Sequence, residues 1–498
     1  MGSPSPPLSS RPVWPHLLLL GGTLFISYAY FFHGTGWNQN SHLYLAQALV
    51  EQHTVRIDRY QSGTGDKAYY GGHYYSDKAP GLSLTALPAV WAGLPASRAL
   101  HIRARDAGYV QLYLAAVFTC SLGIALAAVV LFVMLLGWGV SPGGAGFAVL
   151  VLGLGTPMWI YATQLWGHAF ASACLVFGFA AADQLRRRTT LAGKTLFAGL
   201  TGLAAGWAVV TEYPAAIPAV MIGVMALVYC RRSAAQKKSF ILSAAALLLT
   251  AGVCLATILL YQRAAFGSPF RLGYEYIVNY QETLRHGELG LSYPKWHALM
   301  ALLFGKRCGL LLFAPVLLVA PVGFWLLWRG GGPRLSLGVS AGIALYYLLF
   351  NASYLYWQAG ASFGPRYLSP GLPFACIFLA PVWERSRPAL KAVVGALAGF
   401  GFAVALAGVT TRPVIPETIR FAVRDALISF SRGNLYQSGG AWNLGLLAGL
   451  PGMWSLAPLA AVWGVAGGIW WWIRGAKNSW NQEKRTRYQQ DRISRAGS

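Results

Sequence analysis

Along the chain, apolar runs of roughly 20 residues, the length that crosses a bilayer as a helix, alternate with short polar segments. About twelve stretches qualify: 15 to 33, 107 to 137, 143 to 162, 167 to 185, 193 to 211, 213 to 230, 239 to 261, 308 to 328, 335 to 356, 366 to 384, 390 to 410 and 453 to 473. The pattern predicts an all-α polytopic membrane protein with about 12 transmembrane helices. Between the first two runs lies a polar-aromatic insert, 34 to 106, read as a large first external loop carrying surface helices. Within it Leu43, Ala46, Leu49 and Val50 recur at helical spacing among polar Asn40, Ser41, Gln47 and Glu51. That spacing fits an amphipathic helix on the membrane surface, or plain loop packing. The apolar stretch 80 to 94 is short and is interrupted by Pro88. Counting it as a span would invert every later segment, so it is read as a half-inserted or surface piece.

Composition supports this reading. Of 498 residues, 56% are hydrophobic and only 11% charged, too little polar surface to coat a soluble domain of this size. The first run lacks a clear small-residue cleavage site and is expected to stay as a span with a cytoplasmic N-terminus. Basic residues in short loops are held on the cytoplasmic face. Arg186 to Arg188, Arg231 and Arg232 with Lys237 and Lys238, Arg329 with Arg334, Arg385 with Arg387 and Lys391, and the tail after Arg474 all fall on one side of a twelve-span layout. Eleven of the 15 acidic residues fall on the other. The expected organisation is one membrane domain, 1 to 473, with further external loops at 262 to 307 and 411 to 452, and a basic cytoplasmic tail, 474 to 498. The chain's net charge of +24 is explained by topology and anionic headgroups, and no basic-aromatic module points to nucleic acid. The six cysteines show no metal-type spacing.

Candidate chemistry gathers in the insert, whose centre reads GGHYYSDKAPG, Gly71 to Gly81. His73, Tyr74, Tyr75, Asp77 and Lys78 precede Pro80 directly. A carboxylate can take a proton or hold a metal, and an ammonium can hold a phosphate as a point charge. The same residues also suit an interfacial tyrosine belt with a snorkelling lysine. Ionisable groups at the end of a span are costly and usually face a cavity, which singles out His168, Glu212 and Arg366. His168 reads equally as an interface histidine or a ligand. Arg366, beside Gly364 and Pro365, suits an anion or a lipid headgroup. The loop 262 to 307 adds Arg271, Tyr274, Glu275 and Tyr276, aromatics that stack on sugars or anchor the loop at the interface.

In this order on this topology, these residues resemble the GT-C superfamily of polyprenyl-phosphate-sugar-dependent glycosyltransferases, including the protein O-mannosyltransferases and lipid A aminoarabinose transferases. The resemblance rests on the large first external loop, Asp77-Lys78-Ala79-Pro80 as a Lys-Pro-Pro-like element, and Arg366-Tyr367-Leu368-Ser369-Pro370 as an Arg-Tyr-Leu-x-Pro element. It implies a polyprenyl-phosphate sugar donor, an acceptor hydroxyl on a glycan, lipid or protein, and transfer at the external face of the cytoplasmic membrane with inversion. In that superfamily an Asp soon after the first span, often followed by Glu, acts as base. Here the stretch is Trp37-Asn38-Gln39-Asn40-Ser41-His42, with both carboxylates replaced by amides. A second acidic position of some members matches His168 loosely. The resemblance therefore makes Asp77 the first replacement base, followed by Asp58, Asp66 and Glu212. It gives the donor phosphate to Lys78, Arg366 and Tyr75, and substrate contacts to Asn38, Asn40, His73, His168 and Tyr274. A divalent metal through His73, Asp77, His168 or Glu212 is compatible but not compelled. Two other classes fit the hydropathy: a transporter or lipid flippase, which would place its polar groups at mid-membrane, and a non-catalytic protein that binds a lipid-linked sugar.

Overall fold

The computed structural model describes residues 14–103, 106–233, 237–285, 289–416, 418–436 and 441–473. The N-terminal segment and the basic tail expected at 474 to 498 lie outside the described residues. Helix α1 (Trp14–Ala29) leads through strand β1 (Phe31–His33) into α2 (Trp37–Gln52). A hairpin of β2 (Lys67–Tyr70) and β3 (His73–Ser76) follows, then α3 (Gly81–Ala99). Helices α4 (Ala107–Ala116) and α5 (Leu122–Gly137) run on through a single π turn, and α6 (Pro142–Leu154) and α7 (Met158–Ala162) come next. The central helices are α8 (Gly167–Leu185), α9 (Leu191–Thr211), α10 (Ala216–Ser233) and α11 (Lys237–Phe266). After a loop come α12 (Trp296–Phe304), α13 (Leu310–Phe313), α14 (Ala320–Arg329) and α15 (Arg334–Ser353). The chain closes with α16 (Leu372–Cys376), α17 (Leu379–Arg385), α18 (Pro388–Thr411), α19 (Ala422–Ser431), β4 (Ala441–Asn443), α20 (Leu444–Leu447) and α21 (Gly452–Ile473). Strands β1 and β4 pair antiparallel, tying the start of the first loop to the last.

Among the described residues, eight helical stretches are long and apolar enough to cross a membrane, and two shorter apolar helices cover 142–154 and 315–329. The predicted run 143 to 162 is broken between α6 and α7 by Gly155-Thr156-Pro157, where proline removes a donor and disfavours helix at the residue before it. The run 366 to 384 is likewise broken into a 3₁₀ turn, α16 and α17, with Pro370 and Pro373 inside it. Lipid offers helices no hydrophobic gain on association, so close backbone approach through small residues holds such bundles. Gly202 of α9 shows it: a Cβ there would meet Leu247 O of α11 at 2.2 Å. α8 occupies the centre, with 83% of its apolar window buried, whereas that of α21 is 6% buried and faces outward.

Helix α2 is present where the spacing predicts it, but it is not a half-exposed surface helix. Gln39 through Leu43 and Leu45 through Ala48 are buried, because α3 packs along one side and β3 along another. The apolar stretch after Pro80 is a continuous helix, α3, that carries Pro88 and Pro95 internally and packs against α4, α2 and α9.

Candidate functional site

Three chain segments meet where α3 begins. Pro80 sits at the N-cap of α3, and the N-terminus of that helix abuts the C-terminus of α9. A Cβ on Gly81 would lie 2.6 Å from Val210 C and 2.7 Å from Thr211 N, so only glycine allows this approach. The contact brings Asp77-Lys78 beside Glu212, which follows Thr211 directly. On the other side Ser41 of α2 donates to Asp77 Oδ1 at 3.3 Å and lies 2.8 Å from Ser76 Oγ.

The ammonium of Lys78 is the hub. Its Nζ lies 2.9 Å from Asp66 Oδ2 and 3.2 Å from Asp77 Oδ2, with the side chains 16%, 12% and 8% exposed. Burial disfavours the charged lysine, but Asp66 and Asp77 outweigh it and hold Lys78 well above its ordinary value. The two carboxylates then diverge. Burial works against ionised Asp66 too, yet attraction from Lys78, aided by Arg366, leaves it below the usual carboxylate range. At Asp77 burial dominates, opposed by Lys78 and reinforced by Asp66, and its pKa is pushed up to about 6. A pair of carboxylates driven apart in this way is the arrangement that separates a fixed charge from a proton acceptor.

Around this hub stand Glu212, His168, Arg366 and Tyr274. Glu212 Oε1 lies 3.2 Å from His168 Nδ1. Burial raises the Glu212 carboxyl to about 7, against the pull of Lys78 and Arg366. The Arg366 guanidinium lies over the rings of Trp166 and Tyr367, 5.2 and 4.9 Å from their centroids, and its Nη2 donates to Tyr367 OH at 3.0 Å. Among the described residues no carboxylate comes within ion-pair distance of it, and its Nε is buried without a partner. The ring of Tyr367 meets those of His168 and Tyr354 edge-on. Tyr274 is carried in by the loop after α11, which a bridge between Ala68 and Ile277 ties to the hairpin; Lys78, Glu212 and Asp77 all bear on its hydroxyl.

Asn38, Ser41 and His42 share one face of α2 by their i, i+3, i+4 spacing. Asn38 Oδ1 and His42 Nε2 are buried with no partner, as is Trp166 Nε1, and buried polar atoms ordinarily find one. The cluster thus presents unused donors and acceptors for a polar ligand. Asn40 instead donates to Gly63 O at 2.7 Å, holding the loop. Asp58 and His73 stand apart as a half-exposed pair: Asp58 Oδ2 lies 2.7 Å from His73 Nδ1, and its Oδ1 accepts from the Tyr74 amide. Tyr75 is buried in an apolar cluster with Leu45, Tyr261 and Phe266. Among the described residues no three metal-ligating side chains converge; each histidine–carboxylate pair offers two ligands, and Lys78 already supplies the cation between Asp66 and Asp77. The sequence reading assigns no role to Ser41, His42, Ser76, Trp166 or Tyr354; the spacing of Asn38, Ser41 and His42 is the signal that finds the first two.

No protein-family model matches the chain, and no curated protein sequence does. Solved structures do. ArnT from Cupriavidus metallidurans bound to undecaprenyl phosphate superposes with a TM-score of 0.53 at 14% identity, over 92% of this chain and 75% of that one. Its apo state gives 0.50 at 14% identity, over 91% and 74%. The architecture described above is therefore a polytopic helical membrane fold shared with that ArnT structure.

Proposed function

We propose that the chain is a membrane glycosyltransferase that moves a sugar from a polyprenyl-phosphate donor to an acceptor hydroxyl, with inversion, at the external face of the cytoplasmic membrane. The observation that carries the reading is the buried Lys78 ammonium between two carboxylates of divergent proton affinity, with the unpaired guanidinium of Arg366 in the same electrostatic neighbourhood. The fold likeness supports it, since ArnT was crystallised with undecaprenyl phosphate. So does the placement of the polar groups at one end of the helices rather than at mid-bundle, where a transporter would gather them.

In this scheme Lys78 and Arg366 grip the donor phosphate. The acceptor oxygen attacks the anomeric carbon, the bond from that carbon to the phosphate oxygen breaks, and the hydroxyl proton passes to Asp77. Polyprenyl phosphate leaves with one more negative charge than the diester carried, and the protonation of Asp77 removes one negative charge from the same site. Asp66 stays ionised and keeps Lys78 aimed. Glu212 and His168 stand beside the phosphate, and Tyr274 faces the sugar. Asp77 meets Ser41, one helical turn along the face that begins at Asn38, so the carboxylate missing from α2 is supplied from the facing loop. The basic clusters lie at the opposite helix ends, which supports a cytoplasmic position for those ends and for both termini.

The reading is tested by reconstituting the chain with a panel of polyprenyl-phosphate sugars and following acceptor-dependent release of polyprenyl phosphate. Arg366→Ala is expected to raise the donor KM at least tenfold, the loss of one phosphate contact. Absence of release from every donor, together with substrate movement across sealed vesicles, would select the transporter.

A further inference from the structure

The opposite end of the bundle holds a second feature that the transferase reading leaves unused. A groove of about 490 Å³ opens there between α10, α14 and α15, lined by Met221, Arg232, Trp328, Arg334, Gly338 and Val339 among others. One wall is apolar and the rim is cationic. Arg232 lies in the last turn of α10, and Arg334 opens α15 with its guanidinium over the Trp328 ring. The first turn of α15 has no acidic residue and no side-chain cap, Pro333 being its N-cap, so its free amides add partial positive charge to the arginines.

The helices that carry the two arginines are joined by one hydrogen-bonded knot. Asp183 accepts from Ser336 Oγ at 2.6 Å, from Arg186 Nε at 3.0 Å and from Trp138 Nε1 at 3.0 Å, and Tyr229 OH lies 2.8 Å from Ser336 Oγ. Tyr229 is three residues before Arg232 on α10, and Ser336 two residues after Arg334 on α15. The knot fixes the spacing of the two cationic positions and occupies Asp183. Glu384, the other described acid at this end, accepts from the Ser141 amide. Gly338 leaves the wall open: a Cβ there would meet nothing within 4 Å.

We propose that this groove is a binding site for one anionic diacyl phospholipid of the leaflet at the arginine-rich end, its phosphate between Arg232 and Arg334 and an acyl chain along Gly338 and Val339. Cation pairs over an apolar slot between spans match that chemistry, which a zwitterionic headgroup matches poorly because its own cation faces the arginines. The site is separate from the Lys78 cluster and does not depend on the transferase reading.

The test uses the full chain in detergent, titrated with phosphatidylglycerol and read by native mass spectrometry of the one-lipid complex. Wild type is expected to bind phosphatidylglycerol at least tenfold more tightly than phosphatidylcholine. The double variant Arg232→Gln, Arg334→Gln is expected to lose roughly tenfold or more in affinity, and Arg232→Lys, Arg334→Lys to keep most of it. Gly338→Trp, which retains both charges but fills the slot, is expected to lose the lipid while the protein stays folded. Equal binding of the two lipids by wild type, unchanged affinity in both the glutamine and tryptophan variants, or full competition by millimolar inorganic phosphate would each overturn the proposal.

Discussion

Lys78 is the residue on which the site's electrostatics turn, and its removal has two separable effects. Lys78→Ala strips two buried carboxylates of their counter-charge, which costs about 3–5 kcal/mol of stability for a buried pair, and also removes the proposed phosphate contact. The double variant Asp66→Asn, Lys78→Met removes a charge of each sign and is expected to recover most of the thermal stability, read by unfolding in detergent, without recovering transfer. Recovery of both would show that the ammonium is structural. Glu212 makes a prediction of opposite pH sense from an ordinary paired carboxylate. Its folded pKa, raised from 4.5 to about 7, means the folded state binds the proton more tightly, so stability is present at low pH and is lost as pH rises through that window. Glu212→Gln is therefore expected to raise stability at pH 8 by up to roughly 3 kcal/mol, read as a higher Tm, with the gain vanishing towards pH 4.5. An equal gain at both pH values would contradict the assignment. These residues are legible in sequence because an ionisable group at the end of an apolar run has few structural excuses. Asp58 and His73 look alike by type, but their pairing beside the tip of the hairpin depends on how the preceding loop folds, which residue identity does not announce.

At the scale of elements, the site exists because α3 starts against the end of α9. Gly81→Ala places a methyl within 2.6 Å of the α9 backbone and is expected to destabilise by roughly 1–3 kcal/mol while lowering transfer, since Lys78 moves away from Glu212. Gly71→Ala, at the hairpin tip where a Cβ meets nothing, is expected to leave transfer unchanged despite its positive φ of 59°. Equal effects of the two would deny the α3–α9 contact its role. The apolar runs announce most long helices, and Pro80 announces the start of α3. The environment of α2 is not announced: Asn40, Ser41 and Gln47 read as part of the polar face of a surface helix, whereas the hairpin, α3 and α4 close over α2 and bring Ser41 to Asp77. Likewise the broken stretch around Arg366 reads as a span by hydropathy, and only its prolines hint that the chain there turns in short segments.

For the whole molecule, charge and helix direction divide the bundle into an end rich in arginine and lysine clusters and an end that holds most of the acidic residues. α8 runs from His168 at the cluster to Arg186 to Arg188, and its 19 residues cover roughly 28 Å at 1.5 Å per residue, close to the thickness of a hydrocarbon core. All six native cysteines are buried, so single engineered ones report topology cleanly. Gly71→Cys is expected to react with a membrane-impermeant maleimide in intact cells, and Thr189→Cys only after the membrane is opened; the reverse pattern would place the site in the cytoplasm. The apolar pattern and the basic clusters made this layout readable, while the convergence of Asp66 and Asp77 with Glu212 and Arg366 from three distant segments became visible only in the folded chain. The central claim is that Asp77 has taken over the work of the carboxylate absent at Asn38, and it is tested most directly by the pH dependence of transfer in proteoliposomes. The wild-type rate is expected to rise about tenfold per pH unit up to about 6, the Asp77 value, and then level off, while Asp77→Asn loses roughly 10²–10⁴-fold and the slope with it. An Asp77→Asn protein within threefold of wild type, with the same pH profile, would contradict the account.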